Sequence, residues 1–544
     1  MKNSKRILSL LFILSTASLS AQVMIKDINT GSQSSYISKI IPVNNNIFFR
    51  ANDGLSGFEL WKSDGTTTGT SLIKDMNPNG DGLNSLFNSP FAVLNNTIFF
   101  AGGDNMNGIE LWKSDGTSVG TMMIKDIYPG SSTSIRTPGE MVQLNGNIYF
   151  SADDGNASDE LWQTDGTSFG TTLVKDIASV GGSYIKYLTR SNNTLFFSAD
   201  DFSHGAELWK TDGTSGGTVM VKNIETSGGS YPQFLIDVNG ILYFAAYTSA
   251  HGKELWKSDG TDAGTMMVKD INPGSANSIN YTNVNNFINV NGTLYFSADD
   301  GVNGIELWKT DGTDAGTVMI KDIRPGSAGG LDLSNYKTFM NINNTLYFTA
   351  NDGVIGTELW KTDGTPAGTV LVKDLRPGSM GSDPKELINF NNVLYFNANN
   401  SVSRLWKSDG TAGGTNMINS QAPGSPTSLT VMGSNLYFYG SDLNHGGELW
   451  KYDGSNMSIE DMLSNKNVFS IYPNPSSGHF QVRITDEMSA KKTIEISNIL
   501  GLKVYENTEP NIHVDIDFSG FPKGIYLVKV FDGQQSSIQK IVIQ

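Results

Sequence analysis

Histidines and clustered aspartates are the side chains of this sequence that could support acid–base or metal chemistry. His204, His251 and His445 occupy one recurring position, directly before a glycine, where other copies of the segment carry asparagine or serine. A position that accepts several polar residues is typical of a turn, and no copy combines an isolated nucleophile, acid and base. We therefore assign no catalytic residue and expect a binding or structural protein rather than an enzyme.

Aspartates recur in the loop that precedes these histidine positions. They stand at residues 153–154, 200–201, 299–300 and 352. Carboxylate oxygens suit Ca²⁺, which takes six to eight oxygen ligands, but the same residues serve equally well in turns, where they accept backbone N–H bonds. Their spacing is not that of a helical calcium loop. We predict no metal site and no cofactor, with Ca²⁺ at these loops as the alternative.

A third set of chemically useful residues is aromatic. Thirteen residues before a recurring phenylalanine, four copies carry an aromatic side chain: Tyr36, Phe87, Tyr184 and Tyr231. An exposed ring can stack on the face of a sugar, whereas the alternative is ordinary packing beneath loops. We predict these four residues as the ligand-binding set.

The repeat that positions all these residues is marked by tryptophan. Eight tryptophans follow Glu-Leu and one follows Arg-Leu, at intervals of 44 to 52 residues. The nine positions are Trp61, Trp112, Trp162, Trp209, Trp256, Trp308, Trp360, Trp406 and Trp450. A period of this length is typical of β-propellers, and a residue present in every copy is expected to build the repeat by packing between neighbouring blades.

The sixth copy predicts four antiparallel strands in sequential order. Residues 286–290 and 293–298 flank an Asn-Gly turn, and 305–310 and 317–323 flank an Asp-Gly-Thr turn. Four such strands describe one propeller blade. The lysine of the recurring Lys-Asp-Ile segment falls on the last strand, where its charge would discourage edge pairing.

Ring closure can also be predicted from the sequence. Residues 23–28 read as a fourth strand without the preceding three, and the ninth copy ends near residues 453–454 with only a weak fourth strand. We therefore expect the N-terminal strand to complete the last blade of a nine-bladed propeller. Length variation falls almost entirely between the fourth strand and the next second strand, which predicts a variable binding rim on a rigid scaffold.

The composition narrows the class of protein. The chain has 544 residues, a formal net charge of −16 and no cysteine, which excludes thiol chemistry and disfavours nucleic-acid partners. Lys2, Lys5 and Arg6 precede an apolar run, so residues 1–21 are expected to be a signal peptide. No later run is long enough for a transmembrane helix, and we expect a monomer exported through the periplasm.

Two segments resemble known families. Glu-Leu-Trp-Lys-Thr-Asp-Gly-Thr at 306–313 and its sister copies resemble the ELWxxDGT repeats of bacterial surface and secreted proteins, a family without a settled activity. The tail, with Tyr-Pro-Asn-Pro at 472–475 and Lys-Gly-Ile-Tyr-Leu-Val-Lys-Val at 523–530, resembles the sorting domain of the Bacteroidota type IX secretion system. That resemblance implies passage across the outer membrane and then release or surface anchoring.

The expected organisation is therefore an all-β chain in four parts: a signal peptide (1–21), a propeller (22–457), a linker (458–467) and a sorting domain (468–544) built as a small immunoglobulin-like β-sandwich. The expected partners are the type IX machinery and a polysaccharide or a surface protein held on the rim. An envelope scaffold or adhesin without a small ligand, or a glycan-active enzyme, is the alternative function.

Overall fold

The structure is a computed structural model of an all-β protein. It describes residues 22–83, 91–136, 139–156, 158–279, 287–331, 337–418, 423–454, 469–484, 492–498, 502–508, 513–531 and 536–544. All regular secondary structure in these ranges is β-strand, with no helix. The expected signal peptide, the expected linker 458–467 and Phe87 lie outside the described residues. Contacts divide the chain into two compact units on either side of the Asp453–Gly454 bond.

The described part of the first unit forms nine four-stranded antiparallel sheets, one for each tryptophan copy. In sheets 1 to 8 each strand pairs with the next along the chain. The chain begins with strand β1 (Gln22–Lys26). Sheet 1 contains β2 (Ser38–Val43), β3 (Asn46–Asn52), β4 (Phe58–Ser63) and β5 (Ser71–Lys74), and sheet 2 contains β6 (Phe91–Leu94), β7 (Thr97–Asp104), β8 (Gly108–Ser114) and β9 (Met122–Lys125). Sheet 3 contains β10 (Val142–Leu144), β11 (Asn147–Asp153), β12 (Asp159–Thr164) and β13 (Thr172–Lys175).

The remaining sheets of this unit repeat the same order. Their strands are, in sheet 4, β14 (Lys186–Ser191), β15 (Thr194–Asp200), β16 (Ala206–Thr211) and β17 (Val219–Lys222); in sheet 5, β18 (Gln233–Val238), β19 (Ile241–Thr248), β20 (Gly252–Ser258) and β21 (Met266–Lys269); in sheet 6, β22 (Ile288–Val290), β23 (Thr293–Asp299), β24 (Ile305–Thr310) and β25 (Val318–Lys321). The last three sheets contain, in sheet 7, β26 (Phe339–Ile342), β27 (Thr345–Asn351), β28 (Thr357–Thr362) and β29 (Val370–Lys373); in sheet 8, β30 (Lys385–Phe390), β31 (Val393–Asn399), β32 (Ser403–Ser408) and β33 (Asn416–Met417); in sheet 9, β34 (Gly424–Met432), β35 (Asn435–Asp442) and β36 (Gly446–Tyr452). The predicted four-stranded antiparallel repeat is confirmed.

Sheet 9 takes its fourth strand from the other end of the chain. β1 pairs antiparallel with β36, with Gln22 opposite Tyr452 and Met24 opposite Trp450. Just after β1, the Ile28 N–H donates to the carboxylate of Glu448 at 3.0 Å. Buried Ile25 and Ile28 share one apolar cluster with residues of β3, β4, β35 and β36. The first and last copies of the repeat are therefore in direct contact.

The recurring tryptophans pack between neighbouring sheets. Trp308 of sheet 6 is 6% exposed and lies in one cluster with Leu255, Val268 and Ile271 of sheet 5. The same relation joins Trp360 of sheet 7 to a leucine of sheet 6 and recurs along the unit. Since a large apolar ring removes much surface from water, this contact is a main stabilising element between sheets.

The lysine of Lys-Asp-Ile joins two sheets. Lys125 of β9 donates from Nζ to the carbonyl oxygen of Thr171 in sheet 3 at 2.9 Å and lies 5.6 Å from the ring centroid of Trp162. Corresponding bonds to the next sheet are made by Lys26, Lys74, Lys175, Lys222, Lys269, Lys321 and Lys373. Beyond the edge protection that the sequence predicts, the ammonium group therefore serves as an intersheet donor.

The Asp-Gly-Thr turn has the predicted chemistry. Asp311 Oδ1 accepts hydrogen bonds from the backbone N–H and the hydroxyl of Thr313, at 2.9 and 2.7 Å. Gly312 has a φ of +90°, a conformation that glycine adopts without a steric penalty. The turn therefore has a structural role.

The second unit contains two further antiparallel sheets that share one apolar core. Its strands are β37 (Phe469–Tyr472), β38 (His479–Ile484), β39 (Thr493–Asn498), β40 (Lys503–Thr508), β41 (His513–Asp517), β42 (Gly524–Phe531) and β43 (Ser536–Ile543). The sheet orders are β37-β38-β41 and β40-β39-β42-β43. Val482 of the first sheet and Ile494 and Val528 of the second belong to the same buried cluster.

Candidate functional site

Crossovers between sheets and loops within sheets meet at one edge of the first unit. Ser183, in the crossover before sheet 4, donates its N–H to the carbonyl of Asp159 at the start of β12 and accepts from the N–H of Asp200 at the end of β15, both at 2.9 Å. Similar bonds hold the crossover before sheet 5, where Ser230 accepts from the N–H of Tyr247 at 2.7 Å. Each crossover thus lies against the loops that connect second and third strands. We call these crossovers and loops the rim.

A buried glutamate holds eight of the crossovers in place. The carboxylate of Glu254 is 0% exposed and accepts the backbone N–H groups of Ile271 at 2.9 Å and Ser278 at 3.2 Å, with the Ser278 hydroxyl at 2.6 Å. The equivalent residues are Glu59, Glu110, Glu160, Glu207, Glu306, Glu358 and Glu448. Sheet 8 has Arg404 at this position. These acids are 0% exposed, so they do not reach a ligand.

Burial raises the pKa of these eight carboxyl groups above the ordinary glutamate range. It raises the pKa to about 8 at Glu59 and to about 6 at Glu358, while backbone N–H donors oppose the shift. The pKa is raised to about 7 at the other six, Glu110, Glu160, Glu207, Glu254, Glu306 and Glu448. The physical cause is the loss of hydration of the charged form.

Three of the four predicted aromatic residues are described, and all three lie on rim crossovers with their side chains exposed. Tyr36, Tyr184 and Tyr231 are 59%, 54% and 52% exposed. Each of these residues is thus about half exposed, and the Tyr36 ring centroid lies 6.4 Å from that of Phe58. Tyr184 and Tyr231 flank sheet 4, whereas Tyr36 precedes sheet 1.

The backbone at these tyrosines is left-handed. Their φ values are +49°, +51° and +49°, and the same pattern returns three residues later. Five crossovers contain such a pair: Tyr36 and Lys39, Tyr184 and Tyr187, Tyr231 and Phe234, Asp383 and Glu386, and Ser425 and Ser428. A side chain in this conformation costs about 1–2 kcal/mol relative to ordinary backbone. None of the ten positions carries glycine or asparagine, so the chain retains side chains there at a cost in stability.

Phe202 is an exposed aromatic of the rim that the sequence analysis did not select. It lies in the loop between β15 and β16, is 54% exposed, and its ring centroid is 6.3 Å from that of Tyr184. Its φ is +61°. An alignment of the repeats contains the signal, because sheets 1, 3, 6 and 7 have Gly54, Gly155, Gly301 and Gly353 at the equivalent position.

The rim histidines are each bonded to an aspartate of their own sheet. Nδ1 of His204 lies 2.8 Å from Asp201, and Nδ1 of His251 lies 2.9 Å from Asp270. His445 lies 3.0 Å from Asp442, and this contact raises the pKa of its imidazole. These contacts link the loop to itself or to the end of the fourth strand.

The loop aspartates considered for calcium accept backbone hydrogen bonds. Asp300 Oδ1 accepts the N–H groups of Val302 and Asn303 at 2.9 and 2.8 Å. Asp352 accepts those of Val354 and Ile355 in the same way. Over the ranges that the structure describes, no group of three or more His, Cys, Asp or Glu residues could hold a metal ion.

Comparison with known proteins identifies the C-terminal unit. Residues 470–544 match the family model of the secretion system C-terminal sorting domain. The predicted type IX sorting domain is thereby confirmed, and it implies handling by the type IX machinery and a cell-surface or secreted location. Among the described residues there is no helix long and apolar enough to cross a membrane. No curated protein matches the chain.

Similarity to solved structures is low. The computationally designed Ika8 protein is 13% identical, with 66% of this chain and 95% of that chain covered and a TM-score of 0.36. A puromycin-hydrolyzing peptidase of Mycobacterium tuberculosis is 10% identical, with a TM-score of 0.34, and 65% of this chain spans 57% of that peptidase. BamB from Moraxella catarrhalis is 10% identical, with 75% and 98% covered and a TM-score of 0.33. At these identities and TM-scores, no activity of the three proteins can be assigned to this chain.

Proposed function

We propose that this protein is a non-catalytic binding protein of the cell surface or the secreted fraction, which holds a polysaccharide or a surface protein on its rim. The observation that carries the proposal is the set of three exposed tyrosines with left-handed backbone, Tyr36, Tyr184 and Tyr231. Neither burial nor backbone preference accounts for these side chains, so contact with a ligand is their best explanation.

The proposed scaffold is a closed nine-bladed propeller. The nine sheets of the described first unit, the pairing of β1 with β36 and the apolar cluster shared by the first and last copies support closure. Closing the ring with the N-terminal strand would remove two exposed edges and make the rim a rigid platform. The proposed divisions are a signal peptide at 1–21, the propeller at 22–457, a linker at 458–467 and a β-sandwich sorting domain at 468–544.

Binding fits the polar residues of the rim better than catalysis. The acids are occupied, since Glu254 and its equivalents hold crossovers and Asp300 and Asp352 hold loops. The histidines His204, His251 and His445 each contact an aspartate of a turn or a strand end. Such groups stabilise loops.

The test is native affinity electrophoresis of the chain from residue 22 to residue 544 through gels that contain laminarin, mannan, dextran or alginate. We expect selective retardation by at least one polysaccharide. Replacing Tyr184 and Tyr231 together with alanine should weaken the retardation about tenfold or more, a change of ~1.4 kcal/mol. Tyr472→Ala is the matched control, because Tyr472 is 79% exposed in the other unit.

Two results would count against the proposal. Retardation by none of the four polysaccharides would remove the polysaccharide ligand and favour a protein ligand or an envelope scaffold. Retardation that survives the double replacement would remove the tyrosines from the binding set.

A further inference from the structure

We infer that the rim of sheet 4 carries a subsite for a neutral sugar ring, formed by Tyr184, Phe202 and Tyr231. The inference rests on the proposed binding function and goes beyond it by naming one sheet, a third aromatic residue and a ligand class. Tyr36, which precedes sheet 1, is outside this subsite.

The three rings belong to one continuous stretch of rim. Tyr184 lies on the crossover before sheet 4, and its ring is 6.3 Å from that of Phe202, at an interplanar angle of 49°. Phe202 lies in the β15–β16 loop of sheet 4. Tyr231 lies on the following crossover and donates its N–H to the carbonyl of Ala206, at the end of the same loop, at 2.9 Å. The loop that carries Phe202 is thus held between the two tyrosine-bearing crossovers.

The backbone at Phe202 argues against a purely structural role. Its φ is +61°, and at the equivalent position sheets 1, 3, 6 and 7 have glycines with φ of +79°, +84°, +79° and +83°. The loop therefore requires a conformation that glycine adopts freely and phenylalanine does not. Sheet 4 keeps a bulky aromatic where those four copies avoid the penalty with glycine, which argues for a role of the ring itself.

Exposure shows that this ring does not serve the core. Phe202 and Tyr184 are both 54% exposed, and Tyr231 is 52% exposed, so half of each side chain remains in water. The Phe202 ring lies over a rim glycine, Gly181. Tyr184 and Phe202 form an exposed aromatic pair, and Tyr231 adds a third half-exposed ring on the next crossover; exposed apolar surface of this kind marks ligand contact.

The surroundings of the rings favour a sugar. The negative π face of an aromatic ring attracts the electropositive C–H face of a pyranose. The hydroxyl groups of Tyr184 and Tyr231 are polar groups on these rings that could bond sugar hydroxyls. One position later in the loop, where sheet 4 has Ser203, sheets 1 and 6 present the exposed aliphatic side chains of Leu55 and Val302.

Local charge selects a neutral ligand over an acidic one. Asp159, Asp201 and Glu225 stand on the segments that carry or contact the three rings. The nearby Arg136 is paired with Asp153 and is therefore neutralised. Lys186 is the remaining cation on the crossover of Tyr184. In a chain of net charge −16, this balance repels uronate or sulfate groups.

The deciding experiment compares Phe202→Gly with Phe169→Gly in the chain of residues 22–544. Four other sheets carry glycine at the Phe202 position, so the first variant should fold with a stability within about 1 kcal/mol of the parent protein. Phe169 is 96% exposed in the β12–β13 turn, away from the rim loops, and serves as the matched control. The probes are laminarin, mannan and dextran, which are neutral, and alginate, which is acidic.

We expect the parent protein to bind a neutral probe, Phe202→Gly and Tyr184→Ala each to weaken binding about fivefold or more, and Phe169→Gly to change nothing. Thermal unfolding of each variant separates lost binding from lost folding. If Phe202→Gly binds a neutral probe as tightly as the parent protein does, the subsite is overturned and the proposed function stays in place. Binding of alginate alone would overturn the ligand class, and retention of no probe would overturn both the subsite and the polysaccharide part of the proposed function.

Discussion

At the scale of single residues, recurrence distinguishes the packed tryptophans from the rim tyrosines that we propose as ligand contacts. The tryptophans recur in all nine copies and, with the exception of a partly buried Trp450, are buried between sheets. The tyrosines of the rim occur in a few copies and are half exposed. A side chain that every copy needs is one that the interface between sheets needs, whereas one that occurs in a few copies can serve a ligand.

Replacing an intersheet tryptophan should therefore be costly. Trp308→Ala removes a buried ring from the cluster with Leu255 and leaves a cavity, so we expect the free energy of unfolding to fall by about 3–5 kcal/mol. Urea unfolding followed by circular dichroism measures this. Phe169→Ala, at a 96% exposed ring, is the control and should stay within about 0.5 kcal/mol. Equal losses in the two variants would contradict the packing role.

The left-handed tyrosines should respond differently to glycine and to valine. At Tyr231, with φ of +49°, glycine relieves the backbone penalty but gains freedom in the unfolded chain, so Tyr231→Gly should change stability by no more than about 1 kcal/mol. Tyr231→Val should be clearly less stable than Tyr231→Gly, because a branched Cβ resists this conformation. Chemical unfolding of both variants checks the order, and a more stable valine variant would contradict it.

At the scale of the elements, polar side chains connect consecutive sheets. Each fourth-strand lysine donates to the next sheet, and each buried glutamate binds the crossover that leads there. Because backbone groups of a crossover must be bonded when buried, the glutamate supplies acceptors that the neighbouring strands do not. Sheet 8, with Arg404 in place of the acid, is the exception among the nine.

Removing one of these lysines tests the connection. Lys125→Met keeps the apolar stem but deletes the donor to Thr171 and the cation near Trp162, so we expect a loss of about 1–2 kcal/mol in unfolding free energy. Lys523→Met, at an exposed lysine of the second unit, should have almost no effect. If both variants unfold at the parent's urea concentration, the intersheet bond does not contribute to stability.

At the scale of the whole molecule, the contact between the ends of the first unit should dominate stability. A chain that begins at residue 29 instead of residue 22 lacks β1 and the buried Ile25 and Ile28, and it exposes the edge of β36. We expect it to lose about 4 kcal/mol or more and to aggregate more readily. Val23→Ala, at a half-exposed position of the same strand, is the control. Unchanged unfolding of the shortened chain would argue against ring closure.

The buried glutamates should make the protein more stable in mild acid than at neutral pH. Their pKa is raised from 4.5 to values of about 6 to 8, so in this interval the folded state binds more protons than the unfolded state. Their stabilising contribution is present below pH 4.5 and is lost as the pH rises through 6 to 8. The turn aspartates, such as Asp64, have a lowered pKa and lose their contribution below pH 3.8.

Thermal unfolding between pH 4 and pH 9 measures this dependence, and we expect the highest melting temperature between pH 4.5 and pH 6. Glu254→Gln removes one of the titrating groups and should flatten the decline towards alkaline pH. A melting temperature that rises from pH 6 to pH 8 would show that these carboxyl groups are ionised in the folded protein.

Much of the fold was predictable from the sequence because its signals are local. The predicted strands of the sixth copy, such as 305–310, match β24 at Ile305–Thr310, since turn residues and alternating apolar positions act within a few residues. The C-terminal sorting domain was predictable for another reason: its residues resemble a known family. The spacing of Tyr36, Tyr184 and Tyr231 in the repeat identified them as candidate site residues. Their exposure could not be predicted from the sequence.

The sequence by itself determined the number and order of strands in each copy, the recurring turns and the sorting tail. Only the tertiary structure decided that Glu254 is buried on a crossover, that Lys125 bonds the next sheet and that Phe202 lies beside Tyr184. The reason is range: a turn depends on neighbours along the chain, whereas burial and ring contacts depend on residues 18 to 46 positions apart. Left-handed backbone at Tyr184 and Phe202 likewise follows from the crossover and the loop that hold them, against the preference of either side chain.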